Sequence, residues 1–434
     1  MKRIRNIICF AAVLSCMCWL LSKTTLAADK LLQQSDLTYL GAFRVPADQF
    51  AYGGRPIAYN PARNSLFVGT ANFEQAGREG LYEVSIPAII NSSNLANLNT
   101  ASIVQNSTNA FNGTLNSIES DQGAIFGGAL LHGSKLIVSG YGFYDVALRA
   151  TKSHASINAD WTANGLGFSG LKTVGVPPAP NVGFTGGYMC PIPASWQSAL
   201  GGKALTGLSN VFGIYRTSMG PAAFSFDPDN FSGTSISATS LLYYDDNRGQ
   251  NGATCATHWT IGDFSYQDGC NGGAVGTIVS GSDMVGGVVF PDGSKSVLFF
   301  GRHGDTYCYG DTIQTGQGSC NDPEDSDKGL HGDPYHYRIW AYNAEDLAAV
   351  KAGAKNPWEV TPYAYWNFEN TLPILGWKKQ INGATYDPAA KRLFISMDHG
   401  DGSAPLIQVF SVNVTGGGTS DTTVPAAPTG LSVR

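Results

Sequence analysis

One pattern recurs imperfectly along the chain and constrains its fold more than any other feature. In each copy a glycine-containing opening leads into a short apolar strand, a polar turn, a second apolar strand and a closing Gly or Ser. Clear copies span residues 53–69, 127–140, 286–301 and 382–396, and a weaker copy spans residues 186–207. The turns contain Asn-Pro, His-Gly, Pro-Asp-Gly or Asp-Pro, which favour tight hairpins. Each copy therefore predicts an antiparallel hairpin.

A further strand follows several of these hairpins. Amphipathic segments lie at residues 80–87, 223–228, 337–343 and 407–413. Repeated four-stranded antiparallel units are typical of a β-propeller. The alternative is a β-sandwich with similar hairpins, but a sandwich does not require the same Gly-Gly opening in each repeat. We therefore expect an all-β protein whose fold is a β-propeller of four-stranded antiparallel blades.

The spacing of the openings bears on the number of blades. Successive openings lie 59 to 100 residues apart, whereas a blade needs about 40 to 50 residues. Five blades are recognisable, and this is the minimum. The widest gaps favour additional degenerate blades, so we expect six or seven. The strand-like segment within residues 29–52 is expected to pair with the last blade and to close the ring, which removes open sheet edges.

Composition supports a folded β protein. The chain has 53 glycines among 434 residues, 43% of its residues are hydrophobic and only 14% are charged. Disordered chains lack apolar and aromatic residues, so this composition excludes disorder, and it also argues against a coiled coil or a helical bundle. The formal net charge is −6 and no basic block is present, which argues against nucleic acid as a partner.

The first 28 residues predict a signal peptide. Three basic residues precede an apolar stretch at residues 7–21, and small residues follow it. We expect a secreted protein, with a lipid anchor at Cys16 as the alternative and no membrane span. The propeller is then expected to occupy residues 29–414.

The C-terminal residues differ in texture from the repeats. Residues 415–424 are rich in Gly, Ser and Thr and predict a flexible linker. Residues 425–434 resemble the opening strand of a fibronectin type III module, and Pro425, Pro428, Gly430 and Leu431 carry the resemblance. The resemblance implies that a second domain begins there.

Five cysteines follow the signal peptide. In an exported protein the local pairs Cys255/Cys270 and Cys308/Cys320 are expected to close loops as disulfides. Cys190 is then left as a buried thiol. The alternative for the second pair is a zinc site that also uses His303 and His331.

The densest polar segment is residues 302–338, and its acidic residues suggest a structural calcium site. The candidate ligands offer hard carboxylate oxygens, which calcium prefers; they are Asp322, Glu324, Asp325 and Asp327. Their spacing does not fit an EF-hand loop. The alternative is a solvated acidic loop without a metal.

Loops on one face of the predicted ring carry the residues that are suited to chemistry. His132 lies in a hairpin turn on the other face and is therefore expected to be a turn residue. On the face with the loops that follow the second strands, the candidate catalytic residues are His154, His303, Tyr144, Tyr215, Arg216 and Arg302. The candidate substrate-binding residues are Tyr141, Arg149, Asp398 and His399.

This mixture of Arg, His and Tyr fits β-elimination next to a carboxylate. The reaction needs a cation for the carboxylate, a base, and an acid for the departing glycosidic oxygen. A hydrolase would instead use paired carboxylates, drawn from Glu74, Asp145, Asp305 and Asp398. Motifs for nucleotide hydrolysis, zincin proteolysis and α/β-hydrolase chemistry are absent.

In architecture, secretion and its His/Tyr/Arg set, the chain distantly resembles the propeller polysaccharide lyases of the ulvan lyase type. The resemblance implies cleavage of an extracellular polysaccharide that contains uronic acid. The base would be His154 or His303, and the carboxylate would be held by Arg216 or Arg302. The acid would be Tyr215 or Tyr144. The alternative is a non-catalytic extracellular propeller that binds glycans or protein partners through the same loops.

Overall fold

The five repeat copies form the inner hairpins of five antiparallel sheets in the computed structural model. The structure describes residues 29–70, 79–145, 149–175, 182–211, 217–244, 265–266, 274–306, 308, 320–322 and 325–415. Within these residues the chain is a β-propeller, which confirms the predicted fold class.

The first strand of the chain, β1 (Leu37–Arg44), belongs to the fifth blade. The first blade contains β2 (Ile57–Asn60), β3 (Ser65–Gly69), β4 (Gly80–Ser85) and β5 (Ile103–Asn109). The second blade contains three strands, β6 (Ala124–His132), β7 (Lys135–Gly142) and β8 (His154–Asn158). After β9 (Thr173–Val174), the third blade begins with β10 (Tyr188–Pro191), β11 (Ala204–Gly207) and β12 (Ala223–Phe226).

The third blade is completed after a short strand that lies outside it. Strand β13 (Ser235–Ile236) pairs in parallel with β9, and β14 (Ala238–Leu242) is the fourth strand of the blade. A two-stranded sheet follows, formed by β15 (Ser265–Tyr266) and β16 (Ala274–Val275).

The last two blades contain the longest strands. The fourth blade starts with β17 (Met284–Val289) and β18 (Ser296–Gly304). The small hairpin of β19 (Asn321–Asp322) and β20 (Asp325–Gly329) comes before its outer strands, β21 (Tyr335–Asn343) and β22 (Ala364–Asn367). The fifth blade contains β23 (Ile381–Asp387), β24 (Arg392–Asp401), β25 (Ala404–Val412) and β1.

The described helices are short and lie in the connections. The α-helices are α1 (Ala47–Phe50), α2 (Trp161–Asn164), α3 (Gln197–Leu200) and α4 (Ala344–Lys351). The 3₁₀ turns are Gln34–Asp36, Leu95–Asn97, Leu115–Ser117, Val182–Phe184, Pro357–Glu359 and Glu369–Thr371. Within the described ranges, no helix is long and apolar enough to cross a membrane.

The inner strands close the ring with five blades. Strands β2, β6, β10, β17 and β23 each contact the next, and β23 also contacts β2. The expected count of six or seven blades is therefore wrong. The wide gaps in the repeat contain long connections instead of additional blades between the inner strands, because those strands already contact one another.

Strand β1 completes the fifth blade, as the sequence predicts. It pairs antiparallel with β25, so that Leu37 lies opposite Val412 and Arg44 lies opposite Leu406. The strand that comes first in the chain thereby covers the edge of the last hairpin. Covering an edge prevents it from pairing with another molecule.

The Gly-Gly openings are explained by the close approach of neighbouring inner strands. A Cβ atom at Gly127 would lie 1.8 Å from Gly186 O, and one at Gly286 would lie 1.8 Å from Ile381 O. These positions also coincide with bulges, where the pairing of β6 with β7 and of β17 with β18 shifts by one residue. Only glycine allows backbones to approach this closely.

The core lies between the blades, and alternation along each strand divides its side chains between two neighbours. Leu298 and Phe300 of β18 pack toward the fifth blade, whereas Val297 and Phe299 pack toward the third. All four side chains are fully buried. Burial of one such side chain contributes roughly 1.5–3 kcal/mol, so packing between blades is a main source of stability.

The cysteine predictions are confirmed where the structure describes them. Cys308 and Cys320 form a disulfide, and Cys190 is a buried free thiol. The disulfide uses the two sulfurs that the zinc alternative would need. Cys255 and Cys270 lie outside the described residues, as do the predicted signal peptide and the fibronectin-like segment.

Candidate functional site

Polar side chains from several blades meet at one end of the ring, where the inner strands begin. Antiparallel pairing places the end of each second strand at this end, so that Tyr141 lies opposite Ile125 and Arg302 lies opposite Met284. We call this end the mouth. It is the face on which the sequence places the candidate catalytic residues.

The side chain of Arg55 links three blades across the mouth, and Tyr141 extends the link to a fourth. Its Nη1 donates to Tyr141 Oη at 2.7 Å, and its Nη2 lies 3.4 Å from Ile381 O. Asn210 Nδ2 donates to the same tyrosine oxygen at 3.2 Å. Burial raises the pKa of Tyr141, although Arg55 and Asn210 act in the opposite direction. Tyr141 is therefore a neutral phenol at neutral pH.

The fifth blade contributes an amide, a carboxylate and an imidazole. Asn382 Nδ2 donates to Gly53 O at 2.9 Å and to Asp398 Oδ1 at 3.1 Å. The other oxygen of Asp398 lies 2.9 Å from Nδ1 of His399, which adopts a left-handed backbone with φ of 51°. Both Asp398 and His399 are buried. The predicted substrate-binding residues Tyr141, Asp398 and His399 thus all lie at the mouth.

Two aromatic rings flank His399. The ring of Tyr52 lies 5.6 Å from the imidazole and that of Trp377 lies 5.7 Å from it. Trp377 is 37% exposed, and Lys378 Nζ lies 4.7 Å from its ring centre. An exposed aromatic face beside a cation can hold the apolar face of a flat ligand and an anionic group at the same time.

Arg302 is a buried cation without a carboxylate partner among the described residues. It is 6% exposed, its guanidinium carbon lies 4.1 Å from the ring centre of Tyr335, and Nη1 lies 3.3 Å from Lys378 O. Its Nε has no hydrogen-bond partner within the described chain. Buried charges are normally paired, because leaving them unpaired is costly. The arrangement is typical of a guanidinium that can bind an anionic group.

Other arginines show the usual arrangement. Each of the following forms a salt bridge with Asp or Glu: Arg44, Arg63, Arg149 and Arg392. Arg338, which is also buried, donates to Asn367 Oδ1 and to Thr277 O. Like Arg338 and Arg55, Arg302 forms no ion pair with the described residues. It differs from them because a buried nitrogen, Nε, has no hydrogen-bond partner among those residues.

Histidines and carboxylates alternate across the fourth blade. His303 Nδ1 lies 2.8 Å from Asp283 Oδ1, and its Nε2 lies 3.7 Å from Asp305 Oδ1. The second oxygen of Asp305 lies 3.0 Å from His336 Nε2, and His336 Nδ1 contacts Glu369. We call these five residues the histidine–carboxylate chain. Imidazoles and carboxylates are the side chains that most often serve as general acids and bases in enzymes.

The chain runs from the interior toward solvent. Asp283 and His303 are 1% exposed, whereas the His336 side chain is 26% exposed and that of Asp305 is 44% exposed. Asp283 also accepts from Ser280 N and Ser280 Oγ, each at 2.8 Å, which holds its carboxylate in place. The pairing of His303 with His336 across β18 and β21 keeps both imidazoles on one face of the sheet.

The structure places the predicted His154 away from this group. It is the first residue of β8 and is fully buried, with Nδ1 2.7 Å from Ser153 Oγ and Nε2 3.0 Å from Thr206 Oγ1. Burial lowers its pKa to about 3. Both ring nitrogens are therefore engaged within the fold, between the second and third blades.

The remaining predicted residues are dispersed. Tyr144 is 40% exposed beyond the end of β7, and Arg149 pairs at the surface with Glu119 and Asp121. Tyr215 and Arg216 lie outside the described residues.

The predicted calcium ligands lie where side chains are not described, which leaves the calcium prediction open. Glu324 and the side chains of Asp322, Asp325 and Asp327 fall outside the described part of the chain. Among the side chains that the structure does describe, no group of three or more His, Cys, Asp or Glu is arranged to hold a metal ion.

Several residues of the site could not be predicted from the sequence. Asp283 and Asn210 lie far from their partners along the chain, and Trp377 falls in a connection without a repeat motif. Arg55 is the exception. It directly follows the Gly-Gly opening of the first blade, so its position relative to the repeat could have placed it at the mouth.

The chain is similar to several solved structures at low sequence identity. No protein family model and no curated protein sequence matches it. The glutaminyl cyclase of Myxococcus xanthus is 11% identical with a TM-score of 0.32, covering 87% of this chain and 97% of the cyclase. Hydrazine synthase of Kuenenia stuttgartiensis is 11% identical with a TM-score of 0.31, covering 84% and 97%. A luciferin-regenerating enzyme is 7% identical with a TM-score of 0.32, covering 84% and 92%.

Proposed function

We propose that the protein is a secreted polysaccharide lyase that cleaves an extracellular, uronic-acid-containing polymer by β-elimination at the mouth. The observation that carries this proposal is the buried guanidinium of Arg302, which has no carboxylate partner among the described residues. A uronate carboxylate would supply the missing anion. Arg pairs with carboxylates through two parallel hydrogen bonds, which also orient the sugar.

The surroundings of Arg302 fit a sugar ring. Its Nη1 contacts the carbonyl of Lys378, and the neighbouring Trp377 exposes its ring at the same place. A pyranose has an apolar face that packs on such a ring, while Lys378 adds a second positive charge. Arg302 would hold the carboxylate and Trp377 the ring of one uronate residue.

The histidine–carboxylate chain would move the protons. In β-elimination a base removes the proton next to the carboxylate, the C–H electrons form a C=C bond, and the glycosidic C–O bond breaks. We assign the base to His336, because it is the more accessible imidazole. Its Nδ1 would stay on Glu369, and the exposed Asp305 carboxylate would turn away from Nε2 so that this nitrogen can take the proton. His303, which the sequence suggests as base, would act on His336 through Asp305 as a positioning residue. Tyr144 remains the candidate acid because it is exposed at this end.

The test is incubation of the full chain with polygalacturonate, alginate, glucuronan and ulvan while the absorbance of the unsaturated product is followed. We expect at least one polymer to react, and its carboxyl-reduced form to be neither bound nor cleaved. His336→Gln should lower the rate by a factor of about 100. His132→Gln is the matched control, because His132 lies 2.5 Å from Asp229 in a hairpin turn at the other end of the ring.

Two results would contradict the proposal in different ways. Binding of acidic polymers without product would support the alternative, a non-catalytic glycan-binding propeller. If no polymer is bound or cleaved, the protein does not recognise acidic glycans and the proposal is wrong. Equal loss of activity in His336→Gln and His132→Gln would show that the effect of the first substitution is not specific to the mouth.

A further inference from the structure

A cavity of about 260 Å³ lies at the end of the ring opposite the mouth. All five inner strands line it near the point where they end. Their contributions include Ala58 of β2, Leu130 of β6, Met189 of β10, Val289 of β17 and Ala384 of β23. The cavity therefore lies on the axis of the ring and is separate from the residues of the proposed lyase site.

The walls are apolar and the volume suits a small ring system. Most of the lining residues are Ala, Leu, Met, Val, Ile, Pro and Phe. An apolar cavity of about 150 Å³ in another protein stays dry and binds benzene. Sites for larger organic ligands measure about 300–1,000 Å³. A cavity of the present size accommodates one or two fused rings.

One polar group in the wall lacks a partner. The hydroxyl of Tyr386 is buried and has no hydrogen-bond partner within the described chain. Burial raises the pKa of Tyr386 to about 12, so the hydroxyl keeps its proton and can donate it. A buried hydroxyl without an acceptor raises the free energy of the folded protein. A ligand that supplies an acceptor removes this penalty.

The edge of the cavity disfavours anions. Asp292 lines it, and partial burial of this carboxyl, followed by the nearby charge of Asp29, raises its pKa. No Lys, Arg or His is among the lining residues. An anionic ligand would therefore lose its hydration without gaining a counter-charge.

We propose that this cavity binds a small, uncharged, mostly apolar molecule of one or two rings, whose single hydrogen-bond acceptor accepts a hydrogen bond from the Tyr386 hydroxyl. The site is independent of the lyase proposal, and either can fail without the other.

Three matched probes test the site in the full chain: acetophenone, ethylbenzene and benzoate. Acetophenone has a carbonyl acceptor, ethylbenzene has the ring without an acceptor, and benzoate has a charge. We expect acetophenone to bind most tightly, ethylbenzene less tightly and benzoate not at all, measured by ligand-observed NMR titration. Tyr386→Phe should weaken acetophenone about fivefold and leave ethylbenzene unchanged.

A second variant locates the binding. Leu131 lines the cavity and is half-buried, so Leu131→Trp can fill the space without replacing a fully buried residue. This variant should abolish binding of both acetophenone and ethylbenzene while the thermal unfolding midpoint stays close to that of the unmodified protein. If Leu131→Trp unfolds, the Tyr386→Phe titration alone decides. The proposal is overturned if no neutral probe binds, if benzoate binds as well as acetophenone, or if neither variant changes binding.

Discussion

The two ends of the ring are built on the same five inner strands, yet they differ in almost every chemical respect. At the mouth, glycines let the backbones of neighbouring strands touch, and polar side chains from Arg55, Tyr141 and Asn382 cross between blades. At the other end, mostly apolar side chains of the same strands line a cavity. The difference teaches that glycine lets the inner strands meet through their backbones at one end, whereas side chains form the wall between them at the other.

The largest effect is expected from breaking the narrow part of the ring. Gly286→Val would place side-chain atoms against the carbonyl of Ile381, which belongs to the next blade. We expect the free energy of unfolding to fall by at least about 3 kcal/mol, measured by urea denaturation. Gly233→Ala is the control, because a Cβ there would lie 3.5 Å from Ser235 O. Similar losses in both variants would contradict the role given to close backbone approach.

The next effect concerns the polar chemistry of the mouth. Arg302→Gln removes the guanidinium that lacks a carboxylate partner among the described residues, so binding of a uronate carboxylate would be lost. We expect kcat/KM on the cleaved polymer to fall about 100-fold, equivalent to about 2.7 kcal/mol. Arg392→Gln is the matched control, since Arg392 is paired with Asp387 at the far end of the fifth blade. An unchanged rate in Arg302→Gln would remove this residue from the site.

His154, unlike the histidines of the mouth, is fully buried. We expect it to make the free energy of unfolding depend on pH. Its pKa is about 3 in the folded state against about 6.5 in an unfolded chain. Between these values the unfolded state binds more protons, so stability falls as the pH falls. From pH 6.5 to pH 5 we expect a loss of about 2 kcal/mol from this residue.

His154→Phe serves as the comparison for that acid term. Urea denaturation at the two pH values should give a smaller loss in the variant than in the unmodified protein, whatever its stability at pH 6.5. Equal losses in the two proteins would contradict a depressed pKa at His154.

The smallest effect sharpens the description of the cavity. Tyr386→Phe removes a buried hydroxyl that has no partner within the described chain, so the free energy of unfolding should rise by about 1 kcal/mol. Tyr363→Phe is the opposite case, because its hydroxyl donates to Leu32 O at 2.7 Å. It should lower stability by about 1 kcal/mol. Urea denaturation of both variants would check the two signs.

Local chemistry explains how much of the fold is predictable from the sequence. The hairpins follow from turn residues that act within a few positions, and the third strands follow from alternation in segments such as residues 407–413. The number of blades could not be predicted from the repeat spacing, because the connections between strands differ in length. In the described part of the 100-residue interval between the openings at Gly186 and Gly286 lie the third blade and a two-stranded sheet.

The site is partly predictable for the same reason. Arg302 and His303 lie at the end of a recognisable second strand, so the end of the ring that they occupy follows from the repeat. Which way a side chain faces depends on single-residue register, and the assignment of His154 to an open loop differs from its position in β8. Asp283 could not be assigned to His303 because their contact depends on the path of the chain between them.

The pairing of β1 with β25 also sets the order in which the molecule can form. Contacts between these strands join residues from nearly opposite ends of the described chain, so forming them has the highest entropic cost of loop closure in the fold. During synthesis β1 emerges first and its partner emerges last. Until then the edge of β1 that faces β25 lacks that strand and is able to join another chain, which makes ring closure the step most exposed to misassembly.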